Sequence, residues 1–319
     1  MFAKLFDNIS PRNLLNALLM ILLVAASFWF FPMKEIGFLP KVLPWEINTL
    51  ATIPGFSLLL ILSLAFSWLL AEALNRQHLF AGQYLNMLFA GLLFWVWVYP
   101  LNSADDLWSL LLFAFLIFYL MPGLKPDAPV SGRSFGSSFV IALAGLIYGD
   151  AIMLLILPLG LKLALGKFNG RTLLSLILGY GAALYFMFSS DYLLNSSFIE
   201  SWYQKLLSLE ILDFTTSYRR AIPLNILSLF LFISSVVTLS QRKNFNNEQK
   251  QHLNFWLFYA LVGAAGFLVF ANSNFWLGLQ IFPLSQLGAI AVHSVNNKWL
   301  KDGLLLLPFI AFLSFFFVA

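Results

Sequence analysis

The chain has 319 residues, 61% of them hydrophobic and only 10% charged, far below the roughly 25% charged residues of an ordinary soluble domain. Its 18 Lys and Arg against 14 Asp and Glu give a formal charge of +4, and it has no cysteine, which excludes disulfides, thiol catalysis, iron–sulfur ligation and Cys-based zinc sites. Such a composition implies an all-α, polytopic transmembrane helical bundle, because only helices or closed barrels satisfy every backbone amide in hydrocarbon.

A hydrocarbon core of ~30 Å takes ~20 helical residues, and eleven apolar segments answer to that rule. They run at about 13–31, 54–74, 82–100, 105–121, 135–149, 151–166, 172–189, 222–240, 253–271, 280–295 and 303–318. The first is longer than a secretory signal's apolar region of roughly 7–15 residues and reads as an uncleaved span. Breakers fall between segments: Pro32, Pro40 and Pro44, then Pro100, then Pro122, Gly123, Pro126 and Pro129, with Pro223 opening the eighth.

With the N-terminus inside, Lys34, Lys41, Lys205, Arg219 and Arg220 lie outside and the other thirteen basic residues inside, as the positive-inside rule expects. The C-terminus is then outside. This balance decides the run Phe135 to Leu161, which holds Asp150 in GLIYGDAIMLLILPLG. Read as one helix it would put most later basic residues outside, so it is expected to be two short helices around an outward turn. An arm of 15 residues reaches ~22 Å, which recesses Asp150 below the outer surface.

The whole of 1–319 reads as one integral membrane domain without an internal repeat, so the inverted-repeat signature of many transporters is missing. Its long polar interruption 190–221 is expected to form an outer interfacial loop. There Ile199, Trp202, Leu206 and Leu209 recur at helical spacing, as in a short amphipathic helix lying in the interface.

Arg219 and Arg220 stand at the outer mouth of the eighth span, where basic residues are disfavoured. Planar guanidiniums bind phosphate bidentately, so they are candidate ligands of a lipid-linked phosphate; snorkelling to headgroups or pairing with Glu210 and Asp213 is the alternative. Asp150 is a candidate catalytic acid or base, since an ionisable group near membrane depth is costly, or else the N-cap of the helix that follows it. Glu35 and Glu46 in the first outer loop are the other candidate catalytic carboxylates, or charges that solubilise a proline-rich loop. Asp105 and Asp106 suit the negative start of a helix. His78, His252 and His293 lack metal-ligand spacing, and Asn86, Gln280 and Gln286 are expected to bond between helices. No phosphate loop or nucleophile elbow is present, and no metal or cofactor is expected.

The stretches FDNISPRNLL, LNRQHLFAGQYLNMLFAGLLFWVWVYP and FGSSFVIALAGLIYGDAIMLLILPLGLKLALGKFNGRTLLSLILGYGAALYF resemble a family of uncharacterised multipass inner-membrane proteins of Bacteroidota, often labelled beta-carotene monooxygenase. That label does not fit, since such oxygenases resemble propellers holding iron with four His, and this chain has three. Residues 105–190, with the basic turn KFNGR between Gly-bearing spans, are similar to the membrane core of glycosyltransferases that use polyprenyl-phosphate sugars. That resemblance implies a catalytic acid in the first outer loop, where Glu35 and Glu46 stand, although the paired-acid motif and large outer domain are lacking.

The expectation is therefore a bacterial inner-membrane, multipass protein that handles a lipid-linked, phosphate-bearing envelope intermediate on its outer face, as a glycosyltransferase-like enzyme or without catalysis. Its partners would be membrane lipids and a polyprenyl-phosphate-linked substrate or another membrane protein, and no nucleic acid. A non-catalytic subunit of a membrane complex and a small transporter are the alternatives.

Overall fold

The computed structural model describes residues 11–27, 60–68, 83–98, 131–147, 154–164, 168–194, 199–200, 203–204, 218–269 and 274–318. They are helical almost throughout and include no strand. The helices are α1 (Pro11–Ser27), α2 (Gln83–Val98), α3 (Ser131–Ile147), α4 (Ile156–Ala164), α5 (Gly170–Leu194), α6 (Tyr218–Ser240), α7 (Asn247–Val269), α8 (Asn274–Ser294) and α9 (Lys298–Val318). A further helical stretch covers 60–68.

Two helices form the centre. α2 reads QYLNMLFAGLLFWVWV, apolar on almost every side, and Leu85 to Trp97 are all buried. α8 is buried equally, from Trp276 to Val292 apart from the half-buried Leu277. α8 packs on α2, α6, α7 and α9, while α1 and α9 also pack on α2. Large aromatic side chains fill the space between them: Phe66 lies 5.8 Å from Phe94 and 5.2 Å from Phe282, and Phe89 lies 5.5 Å from Phe230, centroid to centroid.

α3 and α5 form a second layer, joined to the first through α4, which packs on α7. Small residues let α3 and α5 approach closely, as at many helix contacts within membranes. Ser137 and Ser138 are buried and donate to the carbonyls of Ser134 and Phe135, at 3.0 and 3.1 Å, so their hydroxyls are satisfied within α3. Gly179 of α5 faces Ser138 and the Phe135 carbonyl, at a place where a Cβ would collide with backbone.

Of the run 135–161, the described residues are helical in α3 and α4, and the expected turn at Asp150 lies in residues 148–153, outside the described residues. α5 extends to Leu194 and takes in the first five residues of the expected outer loop. Of the expected amphipathic helix in that loop, only 199–200 and 203–204 are described, as helix. Among the described residues two helices, Gly170–Leu193 and Ile222–Ser240, are long and apolar enough to cross a membrane, and only 28% of each apolar window is buried. Leu174, Ile177, Leu178, Tyr185 and Phe186 on α5, and Leu229, Phe232 and Val236 on α6, are exposed. Contiguous apolar faces of this kind suit lipid or a membrane partner.

Candidate functional site

Asp150, Glu35 and Glu46 lie outside the described residues, as do Asp105, Asp106 and His78. Arg219 and Arg220 fall in the first turn of α6. The helix starts ahead of Pro223, where the sequence puts its beginning, so the proline sits inside it. Because proline has no N–H, the carbonyl four residues earlier, that of Arg219, has no ladder donor. The turn that carries both arginines is thereby tied less firmly to the rest of α6. It is also the positive end of the helix dipole, where a cation is disfavoured by about 0.3–1 kcal/mol and an anion favoured. The first turn of α6 thus carries both arginines at the helix end where an anion is favoured.

The interior holds a second set of polar groups. On α8, Gln280, Ser285 and Gln286 are buried; Ser234 and Thr238 are buried on α6, Tyr259 on α7 and Asn86 on α2. Some are satisfied: Thr238 Oγ1 donates to the Ser234 carbonyl at 2.6 Å, and Ser285 Oγ to the Phe282 carbonyl at 2.9 Å. Gln280 Nε2 donates across the helix contact to the Ala260 carbonyl at 3.1 Å. Its amide lies over Gly263, where any side chain would take its place. The interhelical bond expected of Gln280 is therefore present. Among the described residues, Asn86 Oδ1, Ser234 Oγ, the Tyr259 hydroxyl, Gln280 Oε1 and Gln286 Nε2 have no hydrogen-bond partner.

Ser234 escapes a reading of the sequence because a serine hydroxyl in an apolar helix ordinarily bonds to its own backbone, and Tyr259 because a tyrosine in an apolar segment ordinarily carries its hydroxyl to a membrane interface. Lys162 is buried in the last turn of α4, where the negative helix end favours an ammonium. His252 is buried near the start of α7, and His293 is exposed in the last turn of α8. Among the described residues no three His, Cys, Asp or Glu come together as a metal site.

No family model, curated protein or solved structure matches this chain. The chemistry of the first turn of α6 and of the α7–α8 contact must then carry the functional reading.

Proposed function

We propose that this chain is a multipass protein of the bacterial inner membrane that binds a phosphate-bearing amphiphile at its outer face, with Arg219 and Arg220 holding the phosphate. One observation carries the reading: the arginine pair occupies the positive end of α6, directly before the membrane-length apolar segment Ile222–Ser240. Charge at one end and an exposed apolar face along Leu229, Phe232 and Val236 match a molecule with a phosphate head and a long hydrocarbon tail. Were the amphiphile a sugar donor, the carboxylate acting on the acceptor would come from Asp150, Glu35 or Glu46.

A second reading rests on the far end of α5, where Phe188, Tyr192 and Leu193 are exposed, Tyr192 to 87%. An aromatic surface there suits a neighbouring membrane protein, and the chain would then be a non-catalytic subunit. Mass spectrometry of the purified full-length protein separates the two. A phosphate-bearing polyprenyl lipid retained in stoichiometric amount, and lost from the Arg219→Ala/Arg220→Ala variant while that variant stays folded, supports the first. Equal retention by the variant refutes the phosphate site, and a co-purified membrane protein in stoichiometric amount favours the second.

A further inference from the structure

We infer that the turn of α8 at Pro283 is a hydration site within the helix bundle, holding an ordered water between α7 and α8. The observations are independent of the phosphate reading. Pro283 lies inside α8 and brings no N–H, so the Leu279 carbonyl four residues before it loses its ladder donor. Leu279, Phe282, Pro283 and Gln286 follow at spacings of three, four and seven residues, which places them on one face of the helix. Tyr259 of α7 packs at that face, its ring 6.4 Å from that of Phe282. Gln280 reaches α7 one residue further along, at Ala260.

Chemistry selects the occupant. The bond from Nε2 to Ala260 fixes which end of the Gln280 amide is nitrogen, and leaves Oε1 as an acceptor with no partner. The Tyr259 hydroxyl and Gln286 Nε2 are likewise without one among the described residues, and Gln286 stands one turn beyond Phe282 and Pro283 on the same face of the helix. The set thus offers the Leu279 carbonyl and Gln280 Oε1 as acceptors, the Gln286 amide as donor, and a hydroxyl that is either. A bare cation would leave the Gln286 N–H unpaired, and no Asp or Glu is among the buried residues described to neutralise it. Water donates and accepts at once, and a buried water ordinarily has two to four such partners.

The test is X-ray radiolysis of the full-length protein in nanodiscs, in which a bound water becomes a hydroxyl radical beside the side chain that holds it. Tyr259 and Trp256 are equally buried, with rings 6.0 Å apart. Tyr259 is expected to be oxidised while Trp256, the more reactive ring, stays unmodified, and Gln280→Met is expected to lose the Tyr259 signal. A Tyr259 as unreactive as Trp256, or a signal unchanged in Gln280→Met, overturns the site. Stability gives a second readout of opposite sign for the two cases. Tyr259→Phe lowers the folded-to-unfolded ratio about five-fold when a water loses its partner, whereas an equal or higher ratio means that the hydroxyl was unsatisfied, and overturns the site as well.

Discussion

Two glycines two residues apart on α5 give opposite expectations for the same substitution. Gly181 is exposed with nothing within 4 Å of where its Cβ would stand, whereas at Gly179 a Cβ would meet Ser138 Oγ and the Phe135 carbonyl oxygen. It would also stand 3.0 Å from that carbonyl's carbon, inside the 3.4 Å at which ordinary contact begins. Replacing either glycine by alanine removes backbone freedom from the unfolded chain, a gain of about 1 kcal/mol in a helix interior. At 179 the obstacle is backbone, so α3 and α5 must separate, and overpacking of that kind costs about 1–3 kcal/mol. Gly181→Ala is therefore expected to stabilise by about 1 kcal/mol, and Gly179→Ala to fall below it by about 2 kcal/mol. SDS titration of the purified protein in mixed micelles, followed by circular dichroism, reads the difference. If Gly179→Ala unfolds at the same SDS fraction as Gly181→Ala or a higher one, the close approach of α3 and α5 is wrong.

Because the chain has no cysteine, one introduced thiol reports its own side of the membrane. Tyr192→Cys, at the exposed end of α5, is expected to react with an impermeant maleimide in intact spheroplasts, and Lys243→Cys, exposed between α6 and α7, only after permeabilisation. Labelling of both from the same side would overturn the proposed topology. Asn246 and Gln249 cap α7 reciprocally: Asn246 Oδ1 accepts from the Gln249 N–H at 2.8 Å, and Gln249 Oε1 from the Asn246 N–H at 3.0 Å. Asn246→Ala is expected to cost about 1 kcal/mol, measurable in the same SDS titration, and an unchanged midpoint would show that the cap does not hold the helix start.

The capping box also shows why helix ends and apolar segments differ. The apolar segment begins at 253, but α7 begins at Asn247, because hydropathy marks where hydrocarbon starts and an Asn cap marks where the helix does. α5 and α9 start early for the same reason. Asn169 Oδ1 accepts from the Thr172 N–H at 2.9 Å, and Asn297 Oδ1 from the Trp299 N–H at 3.0 Å. These signals stand in NFNNEQ, FNGRT and VNNKW and were open to reading. Which helices are central was not, since α2 and α5 are both strongly apolar, and lipid is as apolar as a protein core. Apolarity alone cannot say that Trp95 is buried and Tyr185 exposed. Gln280 and Gln286 were legible one at a time and Tyr259 was not, and their placement at one helix contact depends on packing between segments distant in the chain. Of the proposed site, the arginine pair was legible because it breaks the charge rule in what the sequence reads as an outer loop, while its position on the positive end of a helix was not.

The central place of α8 also bears on the order in which the protein is made. A segment carrying Gln280 and Gln286 is a poor guest in lipid, and its amides find protein partners only when surrounded. In the chain it follows α2, α6 and α7, so three of the four helices that enclose it leave the ribosome first and only α9 comes after. α2, equally enclosed but almost wholly apolar, would wait in the bilayer at little cost in the proposed multipass arrangement. The most polar helix of the core thus arrives late, into a cleft that is nearly complete.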